Sequence, residues 1–338
     1  MRKWLLGLTL DELVAVGGSL SLPGYTAKQI AEWLYGKRVA TIDEMSNISK
    51  AARSALSDHF EVGGFRAKDV QQSSDGTRKY LFPALNGTPV EAVVIPDAER
   101  ATLCLSCQSG CRMGCKFCMT GRMGFKGSLT SGEIISQIMN VDESRALTNI
   151  VFMGMGEPLD NYDEVIRSTE ILTSEWGFGW SPRRITLSTI GIIPALKSFL
   201  NNSKCHLAVS MHNPFDSERI ELMPMQKAYP ISEVVELIRK YDFTGQRRVS
   251  FEYTMFSGWN DTKRHADAII RLLRGLECRV NLIRFHEIPD FRYKTSPDAV
   301  IEHFRERLNS SGIMTTTRAS RGEDILAACG MLSEKSAN

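Results

Sequence analysis

From about residue 100 onward, the 338-residue chain alternates between two hydrophobic periods. Apolar runs rich in β-branched residues predict strands at 150–153, 185–189, 206–210, 249–255, 280–285 and 314–317. Between them, apolar residues three and four apart predict helices at 132–139, 162–172, 232–241, 264–273 and 299–308. Strand followed by helix, repeated, argues for an α/β fold with a parallel sheet and helices outside it. Six or so such units are too few for a closed eight-unit barrel. A partial barrel or a doubly wound sheet fits, and in either the reactive groups gather at the C-terminal ends of the strands.

The first part of the chain has a different pattern. Residues 1–75 read as helical, with Thr26 placed to cap a helix that runs to Tyr35 and a further short helix or two between Met45 and His59. Arg2 and Lys3 precede an apolar stretch from Trp4 to Leu10. Asp11 and Glu12 stop it short of a membrane span or a signal peptide, so a surface helix is expected there. Strands at 79–82 and 90–95 flank Asn86-Gly87, a hairpin turn signal. The expected organisation is a small helical accessory domain (1–75), a linking hairpin (76–100), a core (101–332) and a short tail (333–338). No repeat or low-complexity tract interrupts it. With 43% hydrophobic and 24% charged residues, wholesale disorder and coiled coil are excluded.

Five of the eight cysteines fall between Cys104 and Cys118, which is not how a disulfide framework spreads its thiols. Only Cys111, Cys115 and Cys118 form a Cys-x3-Cys-x2-Cys run. A structural zinc site closes with four ligands, and ferredoxin-like carriers use four cysteines per cluster. Three thiolates on one loop leave one iron of a 4Fe–4S cluster without a protein ligand, and an open position is what a catalytic metal needs. A zinc knuckle or incidental thiols is the plainer alternative.

This run, with Phe117 just before the third cysteine, resembles the radical S-adenosylmethionine (SAM) superfamily. Three further features resemble the RlmN/Cfr family of radical-SAM RNA adenine methyltransferases: Cys104 seven residues before Cys111, the Gly154-Met-Gly-Glu157-Pro158 segment, and Cys329 in the run that starts at Arg321. The likeness extends from about residue 25 to residue 332. It implies a partial (β/α)6 barrel, one 4Fe–4S cluster on Cys111, Cys115 and Cys118, and two SAM molecules per turnover. It further implies that Cys329 is methylated by one SAM, that a radical from the second activates the S-methyl group, and that the resulting carbon radical adds to adenine. Cys104 would then resolve the protein–RNA adduct through a transient disulfide with Cys329. Glu91 matches the family's acid/base glutamate, thirteen residues before Cys104. SAM contacts carry over to Gly156, Glu157, Ser188, Ser210, Met211 and His212. His286 stands where the family has an asparagine. Cys107 reads as a non-ligand, and Cys205 and Cys278 as buried structural thiols.

Two expectations concern partners. The net charge is only +2, yet residues 101–130 carry Arg112, Lys116, Arg122 and Lys126 without an acid, and 176–215 carry Arg183, Arg184, Lys197 and Lys204 without one. Basic charge is therefore expected to gather around the site, with Lys28, Lys37 and Arg38 adding to it, as phosphate binding requires. By resemblance the substrates are 23S rRNA and tRNA, the electron donor is a flavodoxin or ferredoxin, and the enzyme is a cytoplasmic monomer. Gly156-Glu157-Pro158 and the stretch 320–324 favour adenine carbon 2 as the target. The stretch 181–194 and Leu282-Ile283-Arg284 lean towards the carbon-8, antibiotic-resistance branch. A non-catalytic iron–sulfur RNA-binding or electron-transfer protein would keep the three clustered cysteines without needing Cys104 or Cys329.

Overall fold

A computed structural model describes residues 2–243, 245 and 247–333. The expected tail, apart from Ser333, lies outside the described residues. The chain opens with β1 (Lys3–Trp4), which pairs in parallel with β2 (Phe60–Glu61). The surface helix expected over Trp4 to Leu10 is therefore not formed. Leu5 and Leu6 are buried instead, and the helix Leu10–Ser19 begins only after Thr9, whose hydroxyl and Glu12 make a reciprocal cap. Gly7 explains the tight approach: at φ +93° a β-carbon there would lie 2.2 Å from the Gly132 nitrogen. Thr26 does not cap its helix either. It is buried, and Tyr25 holds the cap position without a side-chain bond.

The main sheet has ten strands. β3 (Asp69–Gln72), β4 (Arg78–Phe82) and β5 (Val90–Asp97) are antiparallel, and β5 pairs antiparallel with β6 (Arg100–Cys104). The Asn86-Gly87 turn joins β4 to β5 as the sequence indicates. β7 (Gln108–Gly110) and β8 (Phe125–Ser128) form a separate pair around the cysteine loop. The parallel half continues with β9 (Asn149–Phe152), β10 (Ile185–Thr189), β11 (His206–Ser210), β12 (Val249–Met255), β13 (Arg279–Arg284) and β14 (Met314–Thr317).

From β6 through β9 to β14, spatial order follows chain order, and every neighbour is parallel. A doubly wound sheet reverses its strand order at a switch point; this one never does, so it is a partial barrel. Its strand edges β3 and β14 remain unpaired with one another. Helices cover it, and β12 is buried along nearly its whole length, as a strand covered on both faces should be. The larger hydrophobic core runs from Leu5 to Leu332, and a second cluster with Met113, Phe256 and Phe285 lies beside the cysteine loop. The sequential winding brings all the parallel strands' C-terminal ends to one rim.

Candidate active site

That rim encloses a cavity of about 140 Å³. Cys111, Cys115 and Cys118 line one wall, on the loop between β7 and the short helix Met119–Arg122. The loop is fixed by backbone bonds: Cys111 N donates to Gly124 O at 3.2 Å, Lys116 N to Leu222 O at 2.9 Å, and Cys118 N to Cys115 O at 3.2 Å. Phe117 packs edge-on against His212 and Phe256, pinning the stretch between the second and third cysteines. Among the described residues no group of His, Cys, Asp or Glu closes on a single metal ion. Three thiols on one wall, with no fourth protein donor, fit an iron–sulfur cluster that keeps one iron open and do not fit a closed zinc site.

The opposite walls are the strand ends. Ser188, Ser210, His212, Gly156, Glu157 and His286 all line the cavity, whereas Met211 is fully buried and does not. Gly156 has φ +103°, and a β-carbon there would meet Gln108 at 2.6 Å, so the chain can bend into the cavity only with glycine. Glu157 follows, buried, with its two oxygens accepting from Leu159 N at 3.1 Å and Ile190 N at 3.0 Å. Burial pushes its carboxyl up to about 7, against the pull of those donors. His212 has φ 54° and accepts from Thr254 N through Nδ1 at 3.0 Å. Burial, with Arg219 nearby, drops its pKa to about 3, so the ring is neutral with its proton on Nε2. His286 faces the same space, with Nε2 3.2 Å from the Ser320 hydroxyl.

Cys329 reaches the cavity from the stretch after β14, and Cys104 ends β6. Cys329 is accessible within the cavity, while the protein packed around it pushes its thiol up. Cys104 does not line the cavity, but burial raises its thiol to about 12 and the nearby Cys329 adds to the effect. All eight cysteines are free thiols. Cys107 is buried, with its carbonyl taken by Asn161 and Leu129, and Cys205 is buried too, whereas Cys278 is only half-buried.

Glu91 lies outside the cavity lining. Its carboxylate is buried against Lys79 Nζ at 3.1 Å and accepts from Ser333 N at 2.9 Å. Val93 pairs with Cys104 across the antiparallel β5–β6 ladder, so Glu91, two residues earlier, lies beyond the C-terminal end of β6. That is the end where the cavity opens.

Two cavity residues escaped the sequence reading. Glu252 on β12 is buried; Oε1 accepts from Asn281 Nδ2 at 2.7 Å and Ser250 Oγ at 3.0 Å, while Oε2 has no hydrogen-bond partner. Arg318, just past β14, lies 3.6 Å from that oxygen and donates to Met153 Sδ at 3.2 Å. Its charge acts on Cys104 and Cys329 alike. The signals were a lone acid inside an apolar strand and an arginine just past a strand end.

The basic charge is not arranged as expected. Lys116 and Lys126 are exposed on the cysteine loop, but Arg112 pairs with Asp160 at 2.8 Å and Arg122 is bound to the Pro289 carbonyl. Lys37 pairs with Glu32, and Arg38 is half-buried against Ser144 and Phe178. Arg183, Arg184 and Lys204 precede β10 and β11, so they lie at the N-terminal ends of the strands, away from the cavity. Adjacency in sequence to Ser188 and Ser210 misled because a strand intervenes.

Residues 105–270 match the family described as the Radical SAM superfamily, and residues 4–62 match the Ribosomal RNA large subunit methyltransferase N-terminal domain. A relative from Parabacteroides distasonis, named probable dual-specificity RNA methyltransferase RlmN, is 55% identical over 98% of this chain and 97% of its own. One from Syntrophus aciditrophicus, named dual-specificity RNA methyltransferase RlmN, is 41% identical over 97% of this chain and 95% of its own. The crystal structure of a radical SAM methyltransferase from Sphaerobacter thermophilus superposes with a TM-score of 0.91 at 38% identity, covering 99% of this chain and all of that one. No helix among the described residues is long and apolar enough to cross a membrane. With the three-cysteine loop, the barrel rim and these relatives together, the chain belongs to the RlmN family of radical-SAM RNA methyltransferases.

Proposed function

We propose that this enzyme converts adenosine to 2-methyladenosine in 23S rRNA and in tRNA. The observation that carries the reading is Cys329 inside the cavity that the three clustered cysteines also line, with Cys104 close by and both under the charge of Arg318. An electron-transfer or passive RNA-binding protein has no use for the two outer thiols.

Cys111, Cys115 and Cys118 would hold a 4Fe–4S cluster, which when bound supplies the electron that splits SAM and leaves an iron open for SAM's amino and carboxylate groups. The chain's own residues do the rest. Glu157, held by backbone donors, receives the SAM amino group, and Gly156 lets the backbone approach it. Ser188, Ser210, the neutral His212 Nε2–H and His286 orient the nucleoside and methionine portions; Met211 packs beneath them. Cys329 takes a methyl group as thiolate and presents it to the adenine. Arg318 favours the thiolates of both outer cysteines, first for methyl capture and then for the attack of Cys104 on the Cys329 sulfur, which forms the disulfide, breaks the S–CH2 bond of the adduct and leaves that carbon to take a proton as the product's methyl group. Glu91 moves the proton lost from the ring carbon, once RNA displaces Ser333 from its carboxylate. A low-potential donor such as flavodoxin or ferredoxin would supply the cluster's electron, and an external dithiol would return the oxidised pair to thiols.

Nucleoside mass spectrometry after anaerobic incubation of reconstituted enzyme with SAM, a reductant and unmodified RNA tests this. 2-Methyladenosine is expected, and Cys329→Ala and Cys104→Ala should each abolish it while retaining the brown cluster. 8-Methyladenosine would assign the chain to the other chemistry; unchanged yield in Cys329→Ala would sink the mechanism.

A further inference from the structure

Four consecutive parallel strands begin beside a basic residue. Arg183 and Arg184 precede β10, Lys204 precedes β11, Arg248 precedes β12, and Arg279 is the first residue of β13. Because β10 to β13 are neighbours in register, these side chains form a row along the N-terminal edge of the barrel. Arg183, Lys204 and Arg248 are exposed and Arg279 half-exposed, and among the described residues none of the four enters an ion pair. Arg248, Arg279 and Glu277 border a concavity of about 310 Å³, Glu277 being the one acid on it among the described residues. His206 sits in the middle of the row. Burial and the charges of Arg248, Arg183, Arg279 and Arg247 bring its pKa down to about 4, so it is a neutral donor at physiological pH, with Nδ1 taken by Arg248 N. Arg247 itself is buried on three carbonyls and belongs to the scaffold.

From this arrangement we propose that the N-terminal edge of β10 to β13 is a second RNA-docking surface, which grips the phosphate backbone of a folded substrate away from the target nucleotide. The proposal takes only the RNA substrate class from the family. Unpaired arginines in a row are matched to phosphate oxygens, being weakly hydrated and able to bind bidentately. Four strands about 4.8 Å apart span roughly 14 Å, a length over which a helical strand shows about four phosphates. A five-residue strand separates this edge from the cavity by roughly 17 Å. A short single strand seated in the cavity does not reach it; a folded RNA that wraps the barrel does. An acidic electron-donor protein would also meet this charge, but the edge is a strand length from the cysteine loop, and electron delivery weakens with distance.

The test compares the holoenzyme with Arg183→Gln/Arg248→Gln/Arg279→Gln, measuring affinity for a folded RNA and for a short oligonucleotide carrying the same adenosine. Affinity for the folded RNA should fall about tenfold, and the slope of log K against log salt should shrink by about 2. The oligonucleotide should bind, and be methylated, as in the wild type. Arg248→Glu alone changes a side chain that enters no ion pair among the described residues and keeps the comparison valid if the triple variant unfolds; it should weaken folded-RNA binding in the same sense. Equal affinity and salt slope in both variants would overturn the proposal. So would intact RNA binding with turnover lost only when an electron-donor protein replaces a chemical reductant. Absence of methylation by the wild type would count against the proposed reaction and leave the binding comparison intact.

Discussion

Glu157 is the residue whose burial has the clearest energetic consequence. Its carboxyl is raised from 4.5 to about 7, so the folded protein holds a proton that the unfolded chain has released. Between those values stability falls as pH rises, by about 3 kcal/mol in all without SAM. Glu157→Gln should flatten that dependence, raising the melting temperature of the SAM-free protein at pH 8 relative to wild type while weakening SAM binding; a melting series against pH with calorimetric SAM titration measures both. A variant that follows the wild-type pH curve would mean the carboxyl is ionised throughout. Glu252 and Arg318 pose a related question. Removing the arginine takes the nearest positive charge from a buried carboxylate whose Oε2 already lacks a hydrogen bond, at a cost of roughly 1–3 kcal/mol. Arg318→Gln should be destabilised by that order and Glu252→Gln/Arg318→Gln should recover part of it in a double-mutant cycle. A lone acid in an apolar strand and an arginine just past a strand end do not reveal in the sequence that they are partners; only the fold shows that β12 and the segment after β14 face one cavity. Cys111, Cys115 and Cys118 were legible because three ligands on one loop need no tertiary structure to be associated.

At the level of elements, the stretch carrying Cys329 is tied down on both sides. Asp75 Oδ2 accepts from Gly322 N at 2.9 Å, and Asp324 accepts from Ser73 Oγ at 2.6 Å and Ser74 N at 3.1 Å. On the far side, Met119 N donates to Gly330 O and Thr120 Oγ1 to Leu332 O, both at 2.8 Å. The turn between β3 and β4 thus positions Cys329 from one direction and the cysteine loop from the other. Asp324→Ala should lower turnover several-fold and speed hydrogen exchange across residues 319–333, with SAM binding and cluster content unchanged; exchange equal to wild type would show that the latch carries no load. Strands β9 to β14 were legible to within a residue or two because runs rich in β-branched residues mark them, whether nearly wholly buried like β12 or mostly exposed like β14. β6 was not: Arg100 to Cys104 is half-exposed and short, preceded by acids, and gains its place by pairing on both sides. The helix Ile193–Asn202 was also missed, since Pro194 reads as a turn former although the first turn of a helix accepts it. The helix Asp216–Leu222 is short and mostly polar.

Across the whole molecule, the N-terminal segment and the barrel share one core. Leu5, Leu6, Leu13 and Tyr35 share one core with Ile134, Ile135 and the barrel, and Tyr35 OH donates to Leu8 O while accepting from Gly7 N. Ser131 Oγ donates to Gly7 O across the joint, and Arg38 reaches Ser144. No linker separates the parts in the sequence; the structure adds that the two halves bury each other's apolar surface. Folding of either part alone would leave that surface in water, at about 25 cal/mol for each Å². The chain should therefore melt in one cooperative transition, and a chain started at residue 64 should aggregate instead of folding as a working barrel. Gly7→Ala, whose new methyl group meets the Gly132 backbone in a disfavoured left-handed conformation, should lower the melting temperature of the whole protein, through a loss of roughly 2–4 kcal/mol, and not loosen the N-terminal segment alone. Calorimetry decides the matter: two separate transitions, or a soluble folded chain from residue 64, would mean that the shared core is not what holds the accessory segment, and that RNA could be gripped by a domain free to move relative to the catalytic rim.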